Sequence, residues 1–359
     1  GTDSPVPAGL SLDMTNPPPS GGTFVFQGPF AYINGDLEEI DIDDIEDQSL
    51  YSGNVKWAGI EDRYFMTALV PVNPGQTQLR LALEQRPEKL LRVTYMQPGN
   101  SLASGQRKQY EYKLFMGPKR MPELSAFGHD LNEAINFGFF DIIAKPCLWA
   151  MNLIHDNVAS NYGIAIILLT IVFKIIFWPL GSKSYRSMAE MKKLQPMMAE
   201  IRKKYKDDKK KMNEEVMRLY KTYKVNPMSG CLPMVVQIPV FIAFYRMLYE
   251  AIELRHAPFM LWINDLSAPD RLFRFDLAIP FMTPPYGIPV LTIVMGATMF
   301  LQQKLSPPPG DPSQAKFMMF MPLIFTVIFI NFPAGLVLYW LTNNVISIAQ
   351  QYYITRKTV

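Results

Sequence analysis

Lys174 stands inside TIVFKIIFWPL, residues 170–180, with apolar residues on both sides. Near the centre of a membrane-spanning helix a lysine costs about 2.5–3.5 kcal/mol on insertion scales, and charges kept there usually mark a path for ions or substrate. On a helix Thr170, Lys174 and Phe177 share one face, which puts a hydroxyl one turn from the amine. Other apolar stretches bring polar side chains of their own: Gln237 in MVVQIPVF, Gln302 and Gln303 in FLQQKL, and Asn343 and Asn344 in LTNN. Polar groups in lipid seek partners. Two readings stand for Lys174. Its amine could snorkel to the interface beyond Pro179, or it faces a hydrated cavity among helices that the glutamines and asparagines help to line.

Conventional catalytic groups are scarce. The chain has three histidines (His129, His155, His256) and two cysteines (Cys147, Cys231). They form neither HExxH nor CxxC, and there is no Walker A loop or GxSxG elbow. No metal, cofactor or enzymatic activity is expected.

The elements that must position Lys174 follow from charge and hydropathy. Residues 1–135 carry 11 Lys/Arg against 18 Asp/Glu, a net of −7, whereas residues 181–224 carry 14 against 6, a net of +8. About 20 apolar residues span a bilayer, and candidate spans are 162–180, 229–249, 286–303, 317–332 and 334–353. The positive-inside rule puts 181–224 in the cytoplasm, the acidic front part outside, and the tail ITRKTV back inside. Within 183–224, Met188, Met191, Leu194, Met198, Ile201 and Tyr205 recur at helical spacing. After DDK, Met212, Val216, Leu219 and Tyr223 do the same, which predicts an antiparallel helical hairpin. Its basic residues Lys192, Lys193, Arg202, Lys203 and Lys204 are either solvated or contact anionic lipid or RNA. The segment 250–285 forms an outer loop.

Upstream of the spans, residues 1–22 are rich in Pro, Gly and Ser and read as linker. The runs TFVFQGPFAYI, RYFMTALVPV, TQLRLALEQ, LLRVTYMQP and QYEYKLFMG predict an antiparallel β-sandwich over 1–130. The acidic run DLEEIDIDDIEDQ, 36–48, reads as a solvated surface loop, with a docking patch for a basic partner as the lesser alternative. Residues 131–160 place bulky apolar residues (Phe139, Ile143, Trp149, Ile154) around one side, which fits an amphipathic helix lying on a membrane surface and equally a helix packed on the front domain. The start GTDSP fits a piece of a longer protein.

NPMSGCLPMVVQIPVFIAFYRML (226–248) resembles the signature of the YidC/Oxa family of membrane protein insertases. The likeness continues in MKKLQPMMAEIRKKY, ELRHAPFMLWINDLSAPD and FMPLIFTVIFINFPAGLVLYWLTNN, in order across residues 155–357. The front part is similar to the periplasmic β-supersandwich of Gram-negative members, in which a further N-terminal span precedes it. The resemblance implies a multi-pass protein of the bacterial inner membrane. A five-helix core over 161–357 would hold a groove open to cytoplasm and lipid and closed on the outer side, with no cofactor. Lys174 occupies the position of the groove cation, where family members usually carry Arg. Gln237, Gln302 and Trp340 fall at groove-facing positions, and Thr170 and Tyr339 near the substrate path. The hairpin corresponds to one that receives substrate. Nascent membrane proteins, the bilayer, the ribosome and the SecY translocon are the implied partners. The alternatives are a channel or transporter subunit, and an assembly chaperone without insertion activity.

Overall fold

A computed structural model of the chain describes residues 6–15, 26–85, 89–100, 107–223, 225, 232–306 and 312–358. The signature residues 226–231, Cys231 among them, lie outside the described residues. The chain divides into two compact units, Gly1–Asn136 and Phe137–Val359.

The first unit is built from eight strands: β1 (Val6–Thr15), β2 (Gly28–Ile33), β3 (Asp36–Glu39), β4 (Leu50–Glu61), β5 (Phe65–Pro71), β6 (Gln76–Gln85), β7 (Lys89–Asn100) and β8 (Tyr112–Pro118). A short helix, α1 (Met121–Phe127), follows them. All strand pairs are antiparallel, in the order β1-β7-β6-β4-β2-β3, with β5 joining β4 to β8. β4 belongs to two layers. Its first half, Leu50–Asn54, pairs with β6, and its second half, Ala58–Glu61, pairs with β5. Period-two residues such as Leu79 and Leu81 on β6 and Leu91, Val93 and Tyr95 on β7 meet Val55, Ala58 and Ile60 of β4 in one buried core, which makes the unit a β-sandwich. At Gly59 a Cβ would lie 2.3 Å from the Thr67 carbonyl, so only glycine permits that crossing. The buried ion pair Lys119–Glu61, at 3.2 Å, is the polar exception in this region.

Two expectations need correction here. Residues 6–15 are not linker but strand β1, paired along its length with β7. Strand pairing outweighed the local Pro, Gly and Ser content. The acidic run is not a plain loop either. It forms β3 and a 3₁₀ turn, Asp43–Ile45, and its isoleucines Ile40, Ile42 and Ile45 are buried in the core while the carboxylates stay at the surface.

The second unit is helical: α2 (Asp141–Asn157), α3 (Tyr162–Ile176), α4 (Trp178–Lys204), α5 (Lys209–Thr222), α6 (Leu232–Glu250), α7 (Val290–Leu305), α8 (Pro312–Phe329) and α9 (Ala334–Thr358). A small hairpin, β9 (Leu272–Phe275) with β10 (Tyr286–Ile288), precedes α7. Asn161 caps α3 by accepting from the Ile164 amide, and Asp208 caps α5 by accepting from the Lys211 amide. α3 and α4 meet at a 66° bend at Phe177. Pro179 is placed in the first turn of α4, where its missing N–H is no loss.

Helices α3 and α7 are shorter than the candidate spans 162–180 and 286–303, whereas α9 runs on past residue 353. Among the described residues no single helix is long and apolar enough to cross a membrane, and the bent pair α3–α4 alone passes by length and composition. The predicted span 162–180 breaks at Phe177, and that over 286–303 gives its first residues to β10. At 1.5 Å per residue, helices of 15–19 residues reach roughly 22–28 Å.

Candidate functional site

Lys174 lies in the last turn of α3 and is only partly exposed. Its Nζ donates to Ser347 Oγ on α9 at 2.7 Å. Ser347 in turn donates to the Asn343 carbonyl one turn earlier, at 2.7 Å, which orients its oxygen toward the amine. Asn343 Oδ1 accepts from Gln237 Nε2 on α6 at 2.8 Å. Gln237 also bonds to the Tyr339 hydroxyl. At the other end Tyr185, early in α4, hydrogen-bonds to both Ser347 and Gln302 of α7. One connected chain of polar groups therefore links five helices around a single cation. Among the described residues Lys174 has no carboxylate partner, so a neutral hydroxyl is all that answers its charge. Such a charge stabilises an incoming anion far more than one already paired.

The sequence builds this site through α9. Tyr339, Asn343, Ser347 and Gln351 recur every four residues and Gln350 lies beside them, so the polar groups form a stripe on one side of the helix. Gln350 donates to the Trp178 carbonyl at 3.1 Å, and Gln351 to Ser306 at 3.4 Å. These bonds tie the end of α9 to the α3–α4 bend and to α7. Gln303 Oε1 and Gln351 Oε1 are buried without a protein partner, a setting that suits bound water.

Not every residue singled out from sequence joins this chain. Thr170 is buried and donates to the Ile166 carbonyl of its own helix at 2.7 Å, not toward Lys174. Asn344 points to Thr298 on α7, at 3.3 Å. Trp340 packs edge-on against Phe241, with ring centroids 4.5 Å apart, and against Phe325 and Phe329. Tyr339 stacks on Phe244 at 4.8 Å, so an aromatic wall backs the polar chain. The hairpin residues Lys192, Lys193, Lys203 and Lys204 are exposed and Arg202 is half-buried. On the hairpin's inner side Tyr220 donates to Met198 Sδ at 3.1 Å. Ser347, Gln350, Gln351 and Tyr185 were missed in the sequence. The four-residue step from Asn343 to Ser347 to Gln351 was the available signal.

On the side away from the hairpin the bundle is closed by chain. Phe259 packs on Gly163, where a Cβ would meet its ring at 2.0 Å, and Asn161 Nδ2 donates to the Phe259 carbonyl at 3.0 Å. The amides of Ala334 and Gly335 bond to the carbonyls of Ala268 and Leu266, both at 2.8 Å. Arg271 makes the strongest clasp. Its Nε donates to the Pro285 carbonyl at 2.9 Å and Nη1 to the Ile330 carbonyl at 2.7 Å. Its neighbour Asp270 accepts from the Leu291 amide at the start of α7 and from Trp262. Burial lowers the Arg271 pKa and Asp270 opposes the shift.

The outward surfaces are apolar. Phe317, Phe320 and Leu323 of α8 and Ile175 of α3 are each more than half exposed. Phe139 (91% exposed), in the 3₁₀ turn Gly138–Phe140 before α2, and Ile142 (82%) and Trp149 (66%) on α2 face outward, while Ala144, Cys147, Leu148 and Met151 are buried on the other side of the helix. A helix apolar on both faces calls for a second apolar medium. No group of three His, Cys, Asp or Glu able to hold a metal occurs among the described residues.

A helical unit with apolar outward surfaces and an internal cation, on one chain with a β-sandwich, has the make-up of a membrane-associated helical protein with a separate folded domain. The chain belongs to the 60Kd inner membrane protein family, whose profile matches residues 153–359, and residues 4–150 match the YidC periplasmic domain. It is 52% identical over 301 residues to a membrane protein insertase YidC of Syntrophobacter fumaroxidans, covering 84% of this chain and 53% of that protein. A second, of Syntrophus aciditrophicus, is 49% identical over 331 residues, covering 92% and 57%. The chain thus spans little more than half the length of these relatives. A crystal structure described as an active YidC insertase with the first transmembrane domain resolved aligns at TM-score 0.49 and 22% identity, over 95% of this chain and 83% of that one.

Proposed function

We propose that this chain carries the core of a membrane protein insertase, which takes nascent hydrophobic segments from the cytoplasm into the bilayer. The observation that carries the reading is Lys174, a cation without a carboxylate partner among the described residues, held by a polar chain inside a bundle whose outer faces are apolar. Burying an unpaired carboxylate in hydrocarbon is strongly unfavourable. A polar or acidic segment of substrate that meets Lys174 part-way crosses a lower and shorter barrier, while its apolar segment slides into lipid beside the bundle. Burial of that segment supplies the free energy, at about 25 cal/mol per Å², together with the membrane potential.

Five passes put the front sandwich on the periplasmic side and the basic hairpin α4–α5 in the cytoplasm, in line with the positive-inside rule. Helix α2 lies in the outer interface with Phe139, Ile142 and Trp149 toward lipid. Helices of this length meet the bilayer by thinning it locally. The exposed hairpin lysines face the emerging chain and the ribosome, and the SecY translocon is a candidate neighbour. The residues that line the substrate path are Lys174, Gln237, Gln302, Tyr339, Asn343 and Ser347. A photo-crosslinker at position 174 should capture a stalled nascent membrane protein carrying an acidic outer tail. Absence of such adducts, with adducts formed from position 323 on α8, would leave the polar chain without a substrate role.

A further inference from the structure

The loop between α6 and α7 does more than close the bundle. Three bulky apolar residues in it, Leu261, Phe273 and Phe281, adopt positive φ (57°, 49° and 65°). Side chains of this kind rarely take that conformation, and it persists only where the surroundings impose it. All three are solvent-exposed, at 82%, 73% and 80%, and Leu277 at the hairpin end is 73% exposed. The backbone is thus held in an unfavourable state whose result is to turn large apolar groups outward. Arg271 and Asp270 supply the constraint, by fixing the hairpin root to Ile330 at the end of α8 and to Leu291 at the start of α7.

We infer that Leu261, Phe273, Leu277 and Phe281 form an apolar wedge that inserts into the outer leaflet of the bilayer, between headgroups and acyl chains. The partner is lipid for three reasons. The hairpin is rooted where α7 begins and α8 ends, and their exposed flanks Ile293 and Val294, and Val327 and Ile328, continue the apolar surface. The connection between β9 and β10 is tied to the chain just after α8, since Asn331 Nδ2 donates to the Phe281 carbonyl at 2.8 Å and Asn331 Oδ1 accepts from the Thr283 amide at 2.9 Å, which holds Phe281 near that helix end. Arg274, exposed beside Phe273, suits a phosphate headgroup above buried rings. The wedge anchors the closed outer end at a fixed depth while the hairpin side stays free to move.

This inference rests on the membrane-spanning reading, and the test separates the two. Single cysteines would be introduced as Phe273→Cys, Phe281→Cys, Leu323→Cys and Asp44→Cys, with Cys231 replaced by Ala and the buried Cys147 retained. Each is labelled with a small fluorophore in protein reconstituted into phosphatidylcholine vesicles. Brominated lipid should quench positions 273 and 281 nearly as strongly as position 323, and iodide should quench them several-fold less than position 44. Iodide quenching equal to that at position 44 overturns the wedge while position 323 still reports lipid. Shielding of 273 and 281 from both quenchers overturns it in favour of a protein cover, such as a second copy. Aqueous access at position 323 removes the spanning reading and the wedge with it.

Discussion

Replacing Arg271 with Met should release the outer closure without emptying its site. Methionine nearly fills the volume, so cavity formation is a minor part of the effect. What is lost is donor capacity. Arg271 supplies close bonds to three backbone carbonyls, Asp270 at 2.9 Å, Pro285 at 2.9 Å and Ile330 at 2.7 Å, and a longer one to Asn331 Oδ1 at 3.2 Å. Arg271 as a whole residue is 8% exposed, so water replaces these donors poorly. Each carbonyl deprived of a charged donor costs about 1–2 kcal/mol, which gives about 3–6 kcal/mol for the three. Hydrogen exchange in detergent reads this locally at the Thr283 and Leu291 amides, which bond to Asn331 Oδ1 and Asp270. At 1.4 kcal/mol per tenfold, protection there should fall by at least about a hundredfold. Arg271→Lys should recover only part, because an ammonium cannot reach all the acceptors of a planar fork. A loss below about tenfold in Arg271→Met, or full recovery by lysine, would refute the clasp.

Other outcomes follow from the same structure. Burial raises the Tyr95 pKa above its usual value of 10.0, so the folded sandwich keeps a proton that the unfolded chain gives up. Its stability should fall as pH rises past about 10, and Tyr95→Phe should flatten that slope in pH-dependent urea melts, at a cost of about 1 kcal/mol for the bond to the Val55 carbonyl. At Gly296 a Cβ would sit 2.1 Å from Thr326 Oγ1. Gly296→Ala should therefore destabilise the α7–α8 contact by about 1–3 kcal/mol, and Thr326→Ala should rescue it in a double-mutant cycle. Burial pushes the Cys147 thiol up to about 12, so iodoacetamide at pH 8 should leave it unmodified in the folded protein and label it after unfolding.

The parts of this molecule that were legible in sequence were those written as periodicity or charge. The hairpin α4–α5 announced itself through Leu194, Met198 and the basic residues around them. Lys174, Gln237 and Asn343 stood out because each is polar among apolar neighbours, and the structure joins them through Ser347. Ser347 itself is small and common in helices, so nothing local marked it. Its role comes from register on α9. Strand β1 was hidden because its stability lies in pairing with β7, about 80 residues away, and not in its own composition. The isoleucines of the acidic run were outvoted by carboxylates at surface positions. The Arg271 clasp could not be read at all, since its acceptors are backbone carbonyls brought together by the tertiary fold.

The insertase reading turns on the charge of Lys174, and an insertion assay in vesicles measures it directly. Substrates differing only in the number of acidic residues in their outer tail would be inserted by Lys174, Lys174→Arg and Lys174→Gln proteins. Arginine should sustain insertion of every substrate, whereas glutamine should fail progressively as acidic residues are added and spare a neutral tail. Full insertion of acidic-tailed substrates by Lys174→Gln would contradict an electrostatic role for this cation.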